Sequence, residues 1–225
     1  ILMFERKKIG SHVPKIDPEI IKGFSIHDTA KISDSMAKYG TLRNIRPLSR
    51  SMRICGRGIT VSCEPGDTKS ILEAVETAEP GDILVIAAGG RTGLASIDRS
   101  IVNAVKAKQL AGIVLDGQVR DPGVWIAEDF PVFCCGTTIE CAKAHGSCRI
   151  NDEISCAGLL IRPGDLVVGD SDGVAVVPGS DLERVLSVTN AHLDMENSWQ
   201  PKFDAGVTMT ELFGCEAKID KWREK

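Results

Sequence analysis

Between Pro80 and Asp121 the chain sets out a buried strand, a small-residue loop, an amphipathic helix and a second buried strand. Pro80-Gly81-Asp82 turns the backbone, because proline fixes φ and glycine accepts positive φ, and it launches the β-branched run Ile83–Ile86. That run ends in Ala87-Ala88-Gly89-Gly90, where another backbone or a ligand can come close. Ile101, Val102, Val105 and Leu110 recur at helical spacing, which predicts a helix from Arg99 to Gln109 with Asp98 as its N-cap. Ala111–Leu115 reads as the second strand, broken by Asp116-Gly117, a pair suited to a turn with positive φ. Residues 83–115 therefore form one right-handed β-α-β crossover, and the chain is an α/β protein.

That topology says where to look for chemistry, since open α/β sheets bind ligands at the carboxyl ends of their strands. Arg120 and Asp121 fall at that end of the second strand. An arginine fork matches a carboxylate with two parallel hydrogen bonds, and a neighbouring aspartate offers a hard oxygen to a divalent metal. The helix start at Asp98 presents free N–H groups and the positive end of the helix dipole to the same edge, a ready site for a carboxylate or phosphate. A surface ion pair is the plainer account of any Arg-Asp dipeptide, and the context is what sets this one apart.

The remaining signals bound the alternatives. With 225 residues and 43% apolar content the chain can bury one sizeable core. A net charge of −4 argues against a nucleic-acid partner, and no uninterrupted apolar stretch is long enough to span a membrane. The opening ILMF, followed at once by ERKK, does not read as a secretory signal. Eight cysteines without Cys-x-x-Cys or zinc-finger spacing read as reduced thiols of a cytoplasmic protein. Pro-Gly-Asp recurs at 65–67, where Asp67 caps a helix with Ile71, Leu72 and Val75 on one face, and at 163–165, where it launches Leu166–Val168. Asp28 is placed to cap a helix over Thr29–Tyr39, and Ser180 to cap one through Leu182, Val185, Leu186 and Val188. Arg46, Arg50, Arg53 and Arg57 form either a solvated face or a phosphate patch. Phe130–Cys135, Ile154–Ile161, Leu166–Val168 and Val174–Val177 make the later half β-rich. The organisation expected is an N-terminal arm over 1–24, an α/β domain over 25–180 and a helical tail over 181–225. That tail includes a helical segment near Glu211–Trp222, and its aromatics suit a subunit interface.

The ordered set Gly81–Ile86, Gly89-Gly90, Ala111–Asp121, Phe130–Phe133 and Arg162–Val174 resembles the RraA-like family, and Thr29–Met36 resembles its N-terminal helix. The family includes class II 4-hydroxy-4-methyl-2-oxoglutarate/4-carboxy-4-hydroxy-2-oxoadipate aldolases and regulators that inhibit a ribonuclease. The resemblance implies a swivelling-domain-like β/β/α sandwich, assembled as a homotrimer or a dimer of trimers with sites between subunits. It implies that Arg120 binds a pyruvyl carboxylate, that Asp121 ligates Mg²⁺ (or Mn²⁺ or another divalent cation), and that Asp98, Arg99, Ser100 and Ile101 hold the substrate. The implied activity is metal-dependent cleavage of a 4-hydroxy-2-oxo acid to pyruvate and a second oxo compound, with oxaloacetate decarboxylation through the same enolate. Two other readings are a non-catalytic regulator that binds a ribonuclease or another partner, and a related metal enzyme acting on a sugar acid or other carbonyl compound. The chain departs from the aldolase pattern at Asp98-Arg99, where a glycine and an acid are usual, and at Ala87 and Val124, where acids are usual. A more anionic substrate or weakened catalysis would follow. Glu196 or Glu211 from a neighbouring tail is the candidate proton donor, and His145 is a loop residue near the site.

Overall fold

The computed structural model describes residues 7–10, 12–140 and 148–214. It runs β1 (Lys7–Ile9), α1 (Pro18–Ser25), α2 (Thr29–Ser35), β2 (Arg46–Pro47), β3 (Ile54–Cys63), α3 (Thr68–Thr77), β4 (Ile83–Ala87), β5 (Ala95–Ile97), α4 (Arg99–Ala107) and β6 (Gly112–Val119). There follow α5 (Pro122–Ala127), β7 (Val132–Thr137), β8 (Cys148–Ile150), β9 (Ile154–Cys156), β10 (Leu159–Ile161), β11 (Leu166–Asp170) and β12 (Gly173–Val177). The helices α6 (Leu182–Asn197), α7 (Trp199–Asp204) and α8 (Met209–Leu212) end the described chain.

The expected crossover is the middle of the molecule. β3, β4, β6 and β7 lie parallel in that order, with Ile83 opposite Gly112 and Ile113 opposite Val132. Burial on both faces explains why these strands are continuous apolar runs rather than alternating ones. β3 belongs to two layers at once. Its second half pairs with β4, and its first half pairs antiparallel with β11, Arg57 standing opposite Leu166. β11 then pairs with β12. One core lies between the parallel sheet and helices α3, α4 and α5, around Ile71, Ile101 and Trp125. A second lies on the sheet's other face, between Val85, Val114 and Phe133 and the residues Ile154, Ile161 and Val176. A third joins the far side of β11 and β12 to α1, α2 and α6 through Phe24, Ile32 and Val185. This mixed α/β arrangement in layers is the expected fold class.

Several local expectations need correction. Asp116-Gly117 does not end its strand; β6 runs on to Val119, and the break appears instead as a register slip against β7 between Leu115 and Gln118. Residues Ile154–Ile161 form a hairpin of two short strands rather than one run. The first 25 residues, expected to be an arm or a first helix start rather than core, include α1, whose Phe24 is fully buried in the core. Leu72 is exposed, and Ala74 takes the buried place beside Ile71 and Val75. Asp181, not Ser180, precedes α6. The helix after Asp28 stops at Ser35, where Ala37 and Lys38 take left-handed conformations. Of the Glu211–Trp222 segment, only the part up to residue 214 is described, and His145 lies outside the described residues.

Asp28 occupies the N-cap position of α2 but makes no side-chain capping bond. Asp170, at the end of β11, does that work from across the fold. Its carboxylate accepts the Thr29 amide N–H (2.8 Å), the Thr29 hydroxyl (2.7 Å) and the Asp172 amide N–H (2.9 Å). Burial alone would raise the Asp170 pKa, but these donors and Arg53 together hold it below the usual aspartate range. A carboxyl group depressed in the folded state stabilises above its unfolded pKa, and that contribution fades as pH falls through the folded value. Asp170→Asn should therefore lose about 1–2 kcal/mol at pH 7. The deficit should narrow below about pH 4, and urea unfolding at pH 7 and pH 3 will measure it; equal deficits at both would contradict the capping account.

Candidate active site

Arg120 is the first residue after β6 and is fixed from both sides of its backbone. Its amide N–H donates to the Ile97 carbonyl (3.0 Å), and its own carbonyl accepts the indole N–H of buried Trp125 (3.2 Å). Asp121 follows in a left-handed conformation, φ 56° and ψ 47°, directly before Pro122 opens α5. A residue with a Cβ sits there at a cost of about 1 kcal/mol, which surrounding contacts must override.

The structure brings this turn against the start of α4, as expected. Arg120 Nη2 donates to Asp98 Oδ2 (3.2 Å), and Arg120 Nε lies 3.7 Å from Asp121 Oδ2. The Arg99 amide N–H reaches Asp121 Oδ2 at 3.4 Å. A basic fork thus lies between two carboxylates at the carboxyl edge of β6. All three side chains are partly accessible, with exposures of 29% for Arg120, 17% for Asp98 and 38% for Asp121. Asp121 Oδ1 has no hydrogen-bond partner among the described residues, so one carboxylate oxygen is left for a ligand.

The helix start itself is not the open anion site expected. Asp98 Oδ1 caps α4 by accepting the Ser100 amide N–H (2.9 Å) and the Ser100 hydroxyl. The Ile101 N–H donates to the Asp98 carbonyl (3.1 Å), and the Ile101 side chain is fully buried in the core. Together with the Arg99 N–H on Asp121, these bonds engage the amides of Arg99, Ser100 and Ile101. The protein's own carboxylates answer the positive end of the helix dipole, since they sit closer than any ligand could. Glu128, just past α5, is held below the usual range chiefly by its hydrogen bond to Lys106, with a smaller contribution from the charge of Arg99.

The positions where acids are usual have apolar jobs. Ala87 is buried opposite Asp116 in the β4–β6 pairing, and Val124 packs on the core around Trp125. Neither suggested proton donor stands ready. Glu196 pairs with Lys31 (2.6 Å), and Glu211 closes a capping box with Thr208, whose backbone N–H holds the Glu211 carboxyl below its ordinary range. Among the described residues no three His, Cys, Asp or Glu side chains converge as a metal cage. The donor set nevertheless fits Mg²⁺, which keeps most of its waters and needs only one or two protein carboxylates.

What sequence reasoning missed is the clamp of Asp98 on Arg120. Both residues were placed at one edge, but only the distance between them separates a substrate ligand from a group that aims one. Asp98→Ala should cost about 1 kcal/mol, and Asp98→Asn, which can still cap, less than half of that. Urea unfolding of both variants tests this, and equal losses would deny the capping role.

Comparison with known proteins follows the same lines. A family model described as RraA-like, Aldolase/RraA, matches residues 29–176. The chain is 40% identical over 169 residues to a Halalkalibacterium halodurans protein named "Putative 4-hydroxy-4-methyl-2-oxoglutarate aldolase", across 75% of this chain and 80% of that protein. The crystal structure of Streptomyces coelicolor RraAS2, described as an unusual member of the RNase ES inhibitor RraA protein family, is 25% identical. It superposes with a TM-score of 0.76 over 84% of this chain and 100% of that one. An uncharacterized Pseudomonas syringae protein shares the fold, with a TM-score of 0.78 and 23% identity over 90% of this chain and 96% of that one.

Proposed function

The chain belongs to the RraA-like family, and from the Arg120–Asp121 turn we propose that it is a divalent-metal-dependent lyase acting on a small oxo acid. The substrate class is a 4-hydroxy-2-oxo acid, cleaved to pyruvate and a second oxo compound, with oxaloacetate decarboxylation as a second activity. The observation that carries the reading is the accessible Asp121 carboxylate beside a fixed guanidinium at the carboxyl edge of the parallel sheet.

Each residue then has a role its chemistry suits. Arg120, whose backbone is held by Ile97 and Trp125 and whose side chain is held by Asp98, turns its guanidinium to the substrate carboxylate. Asp98 is a positioning residue, because it touches Arg120 and the helix start and leaves the reacting atoms to others. Asp121 would hold Mg²⁺ or Mn²⁺ through one carboxylate. When bound, that ion supplies the Lewis acidity that stabilises negative charge developing on the keto oxygen. The Arg99 and Ser100 amides act through the carboxylates they hold, not by contacting the substrate.

The proposal includes assembly as a homotrimer or a dimer of trimers. Its support is the tail: α7 and α8 bury no residue against this chain, and Met195, Met209 and Phe213 are exposed, with Trp199 edge-on to Phe213 at 5.3 Å. A neighbouring copy would cover these groups and could supply the proton donor.

The test is pyruvate release from oxaloacetate and from 4-hydroxy-4-methyl-2-oxoglutarate, with Mg²⁺ and with chelator. Chelator should abolish turnover, Asp121→Ala should lower it by about 100-fold or more, and Arg120→Lys should raise KM, since a point charge cannot replace the fork. Turnover unaffected by both chelator and Asp121→Ala would overturn the reading, as would no turnover of either substrate.

A further inference from the structure

We propose that a second cleft, on the sheet face opposite α4, binds a small non-aromatic polyanion carrying at least two negative charges, gripped by Arg43, Arg46 and Arg91. The cleft holds about 720 Å³, and its described lining also includes Asn44, Gly90, Asp116 and Cys135. That volume lies within the range of small-molecule sites.

Its place in the fold follows from alternation along β6. Asp116, two residues after Val114, shares the face of Val114 and Phe133, and its carboxylate accepts the Ala157 amide N–H (2.8 Å) and the Cys135 thiol (3.3 Å). Arg120, by contrast, is tied to α4 on the face that packs Leu115 and Ile101. The two sites thus share one strand and face opposite sides of the sheet.

The charges are what make the cleft a candidate site. Arg53, Arg57, Arg120, Arg149, Arg162 and Arg184 each have a carboxylate within 4.0 Å. Arg43, Arg46 and Arg91 have none among the described residues, yet all three border the same cavity. Asp116 is already satisfied by the amide and the thiol and offsets only one of the three positive charges. The described lining is left with two net positive charges, which calls for a ligand carrying at least two negative ones. Among the described residues the lining has no aromatic ring to stack a nucleobase, which favours a compact polycarboxylate or phosphate compound.

The grip is also preorganised. The Arg43 N–H donates to the Ala157 carbonyl (3.2 Å), Arg46 pairs with Cys134 in the β2–β7 ladder, and the Gly90 N–H donates to the Asp116 carbonyl (3.0 Å). Arg91 and Arg43 lie against the backbone at Gly136 and Gly158, where an added Cβ would be in ordinary van der Waals contact with Arg91 Nη2 and with Arg43 Cδ, each at 3.6 Å. Of the four arginines between 46 and 57, Arg57 is a buried structural ion and Arg53 pairs with Asp28; Arg46 alone joins this cleft.

Calorimetric titration of the full chain with citrate and with pyrophosphate, and with acetate as the monoanion, tests the site. Citrate or pyrophosphate should bind saturably and acetate at least about tenfold more weakly; the tighter of the two polyanions identifies a carboxylate or a phosphate source. Arg43→Gln, Arg46→Gln and Arg91→Gln should each weaken binding about tenfold. All three side chains are exposed, so thermal midpoints should not move, and the matching lysine variants should recover part of the affinity. Arg120→Gln should leave binding intact, so the site stands even if the lyase reading fails. Lack of saturable binding by either polyanion, undiminished binding in the three glutamine variants, or loss of binding in Arg120→Gln would each overturn the proposal.

Discussion

The passage of β3 from one sheet to another depends on a single buried ion pair. Arg57 donates from Nε and Nη2 to the two oxygens of Asp82, both at 2.8 Å, and from Nη2 to Glu79 at 3.0 Å. Arg57 and Asp82 are 7% and 3% exposed, so each charge depends on the other for solvation. Gly56 and Gly58 flank the arginine, and a Cβ at Gly56 would lie 2.5 Å from the Gly81 carbonyl oxygen. Backbone and side chain therefore meet at one point: the Pro80-Gly81-Asp82 turn supplies both the close carbonyl and the counter-ion. The pair matters less for its energy than for fixing which half of β3 faces which partner.

From that frame β6 extends past β4, and the two ends of function separate. β4 pairs with β6 as far as Asp116, after which β5 takes Gln118 and Val119. The loop between β4 and β5 is tied back by the Gly93 N–H on the Gln118 side-chain oxygen (2.8 Å). Asp116 is turned to one face at this change of partner, and the Arg120–Asp121 turn is delivered to the other. The left-handed Asp121 is a strained residue between a pinned carbonyl and a proline, which is where a binding group needs a fixed direction.

Much of this was legible from residue order alone. The crossover, the Pro-Gly-Asp turns and the caps at Asp67 and Asp98 all follow from short-range pattern. The misses share a cause, which is that a distant group settles a local choice. Asp116-Gly117 looks like a turn, yet pairing on both sides holds it in a strand and absorbs the irregularity as a slip. Asp28 looks like a cap, yet Asp170, 141 residues beyond Thr29 in the chain, supplies the bonds to Thr29. Ser100 and Ile101 look like open donors, yet whether a helix start is free depends on side-chain rotamers no sequence spacing records. The three arginines of the second cleft come from separate segments, so only the fold assembles them.

The double membership of β3 also dictates an order of assembly. β3, β4, β6 and β7 can zip up in sequence as the chain emerges, each strand meeting the one just before it. The Ile54–Arg57 segment must wait for β11, made long afterwards, and until then it is an unpaired edge with Ile54 and Cys55 uncovered. Long loop closures of this kind slow the final step and leave an intermediate able to pair with another copy of itself.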